Sequence, residues 1–253
     1  MKIAILISGS PRFTKELDDF ISNLKGFESA DWFISLWKEN RQPDKLGYPG
    51  FVLVSENWRN VDLEWAKNKI EQNLPPNHKL CKLELHDDSI IQYPTISGPQ
   101  EHHINFLNIW KMHLGWNLVE RLKQSHNEQY DLVIRIRPDL ALTEPVNLLD
   151  LKKQLENNPK LVFVAKNGQH GITHHINDLI AISTPNNITN YTDLINHSLE
   201  YNNSGIIFHP ENMLAYHLIK NGLSIKPIIP AEIRLYFTKR INAEFVSDFG
   251  RWG

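Results

Sequence analysis

The chain is short of several things, and each shortage narrows what it can be. One cysteine, Cys81, in 253 residues rules out an internal disulfide and fits a reducing compartment. The apolar N-terminal run Ile3-Ala4-Ile5-Leu6-Ile7 is far too short to span a membrane. It leads into Ser8-Gly9-Ser10-Pro11, so a first strand and its turn are expected rather than a signal segment, and a cytoplasmic location with it. Charge of either sign is scarcely in excess. A net charge of −2 offers no electrostatic reason to expect nucleic acid, and at most a peripheral membrane contact. Repeats, low-complexity tracts and obvious linkers are missing too, so a single domain over residues 1–253 is expected. The two halves of that domain would span about 1–140 and about 141–253.

What is present is ordinary globular material, 41% hydrophobic and 22% charged. Strands are expected over 2–7, 31–37, 51–54, 79–85, from 130 up to Pro138, 160–165, 178–183 and 225–229. Helices are expected from Thr14, from Asp62, over Gln100–Gln124, after Pro145, from Thr184-Pro185 and from His209-Pro210. In the longest helix Ile104, Leu107, Leu114, Leu118 and Leu122 form the apolar stripe, widened by Trp110. Strands alternating with helices predict an α/β fold with a mixed, mostly parallel, Rossmann-like sheet flanked by helices. Four Asn-x-Ser/Thr sequons, at Asn187, Asn190, Asn196 and Asn202, are attributed to the Asn-rich composition.

The stretch Tyr130 to Leu140 carries the most chemistry. Its apolar, β-branched run reads as a buried strand stopped by Pro138, with Arg137 and Asp139 at its C-terminal mouth. Open α/β sheets bind ligands at such mouths. Arg137 can grip phosphate with its planar fork, and Asp139 can hold Mg²⁺ or Mn²⁺. The plain structural alternative is a Pro-Asp turn after an edge strand, with Arg135 and Arg137 in surface ion pairs. Ser8, Gly9 and Arg12 after the first strand can bring backbone amides and a charge to a phosphate, although any turn uses such residues. Asp178 can orient an acceptor hydroxyl, and Glu211 can act as a base; each is equally what a strand or helix start uses. The pairs His102-His103 and His174-His175 lack zinc-ligand spacing.

In order along the chain, Ile7-Ser8-Gly9 with Arg12, Asp31-Trp32-Phe33-Ile34-Ser35, Tyr130 to Leu140, Asn177 to Ile182 and Pro210 to Leu214 resemble one family. These are nucleotide-sugar glycosyltransferases of the GT-A kind. More narrowly, the chain is similar to bacterial and viral polysaccharide or lipopolysaccharide transferase-like proteins with a YDxVIRxRPD motif. The resemblance implies a GT-A-like domain, a nucleotide-sugar donor (a UDP-sugar first) and a glycan or lipid-linked glycan acceptor. It also implies a donor diphosphate at Ser8, Gly9, Arg12, Arg137 and Asp139, and acceptor chemistry at Asp178 and Glu211. The family's D-x-D motif would fall on Arg137-Pro138-Asp139, where only Asp139 is acidic. A cation would then be held by Asp139 with a later residue such as His209, or its role taken by Arg137. Two other readings stand beside this one. Gly9-Ser10-Pro11-Arg12 is similar to the phosphate loop of FMN reductases, and a nucleotide-sugar or glycan-binding protein without catalysis would also fit.

Overall fold

A computed structural model describes residues 1–9, 16–38, 51–53, 63–72, 74–87, 91, 101–126, 129–138, 140–165, 176, 178–241 and 244–252. Over parts of these, 101–105 and 232–252 among them, only the backbone is described.

The elements run in the order β1 (Ile3–Gly9), α1 (Glu16–Asn23), β2 (Leu24–Lys25), β3 (Asp31–Trp37), β4 (Phe51–Leu53), α2 (Leu63–Glu71) and β5 (Lys79–His86). Then come α3 (Glu101–His126), β6 (Leu132–Ile136), β7 (Leu140–Leu142), β8 (Val146–Asn147), α4 (Leu148–Asn157), β9 (Leu161–Ala165) and β10 (Ile180–Ser183). The chain finishes with α5 (Pro185–Thr192), α6 (Leu194–Asn203), α7 (Pro210–Lys220), β11 (Ser224–Ile229), β12 (Ala231–Ile241) and β13 (Glu244–Trp252).

A seven-stranded sheet in the order β11-β9-β10-β6-β1-β3-β5 forms the centre. Only β10 runs against its neighbours; the other six share one direction. Alternation along each strand divides the core. Ile3, Ile5 and Ile7 of β1 face a layer with Phe20 of α1, Ile70 of α2 and Leu148, Leu151 and Leu155 of α4. Ala4 and Leu6 face the opposite layer, built from α3, α5, α6 and α7. The molecule is therefore mixed α/β with a mostly parallel sheet flanked by helices, compatible with a Rossmann-like arrangement. Among the described residues no helix is long and apolar enough to cross a membrane.

Local signals explain most boundaries. Asn147 caps α4 through its side chain, Thr184 caps α5 with Pro185 in the first turn, and Gly222 ends α7 at φ +70°. Asn187, one of the sequon asparagines, is buried and donates its amide to the Pro159 and Leu161 carbonyls and the Ser183 hydroxyl. That side chain ties α5 to the sheet.

The buried-strand reading of the central stretch stands and its edge-strand alternative fails: β6 lies between β1 and β10, and Arg135 is only 2% exposed. Three expectations need correction. The strand before Ser183 starts at Ile180, with Asp178 and Leu179 in a turn. The helix from Pro185 stops at Thr192, so Leu194 and Ile195 face the core from a separate α6. Finally, of the expected α3 stripe Leu118 is buried and Trp110 and Leu114 are half-buried, while the side chains of Ile104, Leu107 and Leu122 lie outside the described ones. Phe106, Ile109, Met112, Trp116 and Val119 are buried besides. The reason is that α3 packs on the sheet with one side and against α5, α6 and α7 with the other, so no single stripe describes it. The tail from Ala231, whose stretch 234–240 is aromatic and basic in sequence, forms a β12–β13 hairpin in which β12 also pairs with β4 and β7.

At Gly115 α3 lies close against the sheet. A Cβ there would lie 2.9 Å from Leu6 Cδ1 and 3.1 Å from Ser8 Cβ. Alanine normally strengthens a helix over glycine by ~1 kcal/mol, but overpacking a core costs about 1–3 kcal/mol. Gly115→Ala is expected to lower the urea midpoint. A raised midpoint would show that Leu6 yields freely.

Candidate functional site

The strand order reverses direction of growth beside β1: β3 and β5 follow on one side, β6 on the other. Ligands of open α/β sheets sit in the crevice at such a switch point, beyond the C-terminal strand ends. Here those ends carry Ser8 and Gly9 from β1 and Arg137 and Pro138 after β6. Gly9 has φ +150°, and a Cβ on it would lie 3.0 Å from Pro138 Cδ, so the position requires glycine. The Arg137 carbonyl accepts from Leu140 N–H at 3.3 Å, closing a turn with Pro138 in its second position.

Because β10 is antiparallel, its N-terminal start returns to this same end. Arg137 N–H donates to the Leu179 carbonyl at 3.0 Å, extending the β6–β10 pairing past the strands and bringing Asp178 to the mouth. Arg137 Nη1 stands 3.5 Å from Asp178 Oδ1, an ion pair whose carboxylate side chain is 8% exposed. Beneath it, Arg135 donates from Nε to the Ser8 hydroxyl at 3.2 Å and from Nη1 to the Asp178 carbonyl. The buried guanidinium thus joins the ends of β1, β6 and β10 with charge-assisted bonds. Tyr191 of α5 is fully buried beside it; burial pushes its phenol up, and the Arg135 charge opposes the shift.

The fourth side comes from α7. His209 and Pro210 start the helix, which sets Glu211 in its first turn. Burial pushes the Glu211 carboxyl up to about 7, the Asp178 charge adds to the shift, and Arg137 opposes it. His209 Nδ1 lies 3.6 Å from Glu211 Oε2. A carboxyl titrating near neutrality, at a strand mouth and beside an arginine-paired carboxylate, has the character of a general base.

Of the residues singled out from the sequence, Ser8, Gly9, Arg137, Asp178, Glu211 and His209 belong to this one end of the sheet. Arg12 and Asp139 lie outside the described residues, as do Asn177 and the 168–175 stretch with His174-His175. Among the described residues no group of three or more His, Cys, Asp or Glu converges as a metal site. Among the described residues Asp178 pairs with Arg137 and Glu211 lies beside His209, and these groups without Asp139 form no oxygen cage for Mn²⁺ or Mg²⁺.

Sequence reasoning gave Arg135 no functional role, and its only account of the residue, a surface ion pair, belonged to the edge-strand alternative. The signal was available: a charge in the middle of an apolar run on a strand covered on both faces must be hydrogen-bonded in the interior. Tyr191 gave no comparable signal, because its place beside Arg135 depends on how α5 packs. No protein-family model and no curated protein matches this chain.

Proposed function

We propose that the chain is a glycosyltransferase of the GT-A kind, transferring a sugar from a nucleotide-sugar donor to a hydroxyl of a glycan or lipid-linked glycan. The observation that carries this reading is Glu211, a carboxyl pushed up to about 7 at the switch-point mouth, facing the Arg137–Asp178 pair. In transfer the acceptor oxygen bonds to the anomeric carbon while that carbon's bond to the diphosphate breaks. The bond's electron pair leaves on the diphosphate, and Glu211 takes the acceptor's proton. Arg137 is suited to stabilise the charge growing on the leaving group, since its fork matches phosphate oxygens and needs no reorganisation. Asp178 positions Arg137 and keeps Glu211 basic enough to accept a proton.

The test is a calorimetric titration with UDP, GDP and CDP, each with and without Mn²⁺, followed by a donor hydrolysis assay. Binding of at least one nucleoside diphosphate, weakened tenfold or more by Arg137→Met, is expected. A protein that binds none of the three, in either condition, is not a nucleotide-sugar transferase.

A further inference from the structure

On the far side of β1 from Arg137, the ends of β3 and β5 hold a second polar group that the mechanism above does not use. Lys111 of α3 is 1% exposed. Its ammonium nitrogen has no hydrogen-bond partner among the described residues and rests 4.2 Å from the centre of the Trp37 ring. Lys111 is one helical turn ahead of Gly115, which sits on Ser8, so its side chain covers the sheet next to the last residues of β3. Trp37 ends β3 and pairs in register with His86, which ends β5. The Ser35 hydroxyl, on the same face two residues before Trp37, is likewise buried without a partner among the described residues.

An unsatisfied buried lysine and hydroxyl each cost free energy, and natural structures contain few. The simplest remedy would be a carboxylate, and one is near. Glu84 is held instead by Arg121, at 3.2 Å from both carboxylate oxygens, with Lys82 at 3.8 Å and His86 at 3.6 Å. Among the described residues Glu84 is thus taken up by Arg121, Lys82 and His86, and it makes no hydrogen bond to Lys111. Burial pushes the Lys111 amine down to about 6 against the pull of Glu84, and burial and then Lys111 push His86 down to about 4. Around Lys111 stand Trp37 of β3, whose ring its nitrogen contacts, and Glu84 and His86 of β5, whose charges interact with it.

We infer that Lys111, with Ser35, receives a phosphate-class anion at the C-terminal ends of β3 and β5, one strand away from the Ser8–Arg137 crevice. Lysine binds phosphate as a point charge, a hydroxyl adds a second donor, and parallel strand ends are where such ligands lie. An arriving anion restores the lysine's charge, and the proton it gains comes from solvent once the anion's own ionisation at the working pH is subtracted. Whether the phosphate belongs to the donor or to the acceptor rests on the glycosyltransferase reading; the anion site itself does not.

The test is calorimetry at pH 7.5 in two buffers of different ionisation heat, with inorganic phosphate, pyrophosphate and UDP as probes. Wild type is expected to bind pyrophosphate or phosphate with uptake of about one proton after that subtraction. Lys111→Met is expected to weaken that binding tenfold or more and abolish the uptake. Lys111→Arg, charged throughout, should bind without uptake. A parallel loss of UDP binding assigns the phosphate to the donor; unchanged UDP binding with lost phosphate binding assigns it to the acceptor. Lys111→Met binding all three probes like wild type overturns the inference, and so does a wild type that binds none or takes up no proton. A chain that binds pyrophosphate through Lys111 but transfers no sugar keeps this site and loses the glycosyltransferase reading.

Discussion

Glu211→Gln is expected to lower kcat/KM for sugar transfer by about 10²–10⁴-fold, the usual contribution of a positioned base. The substitution keeps the shape of the side chain but removes the acceptor of the proton. Wild-type activity should rise as pH passes through about 7, because the carboxyl must be ionised to act. That rise should vanish in the variant, while donor binding persists. Stability gives an independent check. Burial and Asp178 raise the folded pKa above the ordinary 4.5, so the folded state holds an extra proton between pH 4.5 and 7. Wild-type stability therefore falls as pH rises through this window, and Glu211→Gln, with no proton to lose, should show a flatter profile. A variant that retains more than a tenth of wild-type kcat/KM would remove Glu211 as the base and point to a mechanism that needs none.

The second large effect is a gain. Lys111→Met should make the protein more stable near neutral pH, by on the order of 4 kcal/mol, because burying the amine depresses its pKa from 10.5 to about 6. The sign follows from proton counts. Between those values the unfolded chain carries a proton on Lys111 that the folded chain does not. Wild-type stability therefore rises with pH at about 1.4 kcal/mol per unit across the window. The penalty is greatest below pH 6 and gone above pH 10.5. Met fills the space over Trp37 without a charge, so the variant's advantage in chemical denaturation should be largest near pH 6 and shrink steadily toward pH 10. Equal stability of the two proteins at pH 6 to 7 would mean that Lys111 is solvated or paired after all. A residue that destabilises the fold this much and is nonetheless present is what a binding site looks like energetically.

The two effects differ in how far sequence could anticipate them. Glu211 was a visible candidate, because a Pro-Glu pair at a helix start puts a carboxylate at an element's end, and elements end where α/β sheets bind ligands. Its elevated pKa was not visible. That depends on Asp178 and Arg137, which are 33 and 74 residues away in the chain and meet Glu211 only through β10's antiparallel return. Lys111 gave less still. In a helix expected to carry one apolar stripe, it falls at a position that a solvated face would equally supply. Only the packing of α3 between the sheet and three further helices takes it out of water.

The sequence by itself determined the local order. Alternation and β-branched runs marked the strands, Thr184-Pro185 and Gly222 marked helix ends, and Pro138 marked where β6 stops. These are decisions among a few neighbouring residues, where backbone hydrogen bonding and sterics dominate. Tertiary structure alone decided that β6 is central and that Arg135 is an interior tie rather than a surface charge. It also decided that Ser8, Arg137, Asp178 and Glu211 share one mouth while Lys111 and Trp37 form a second polar site beside it. Burial and charge proximity set the chemistry of those groups, and both exist only once distant segments have packed.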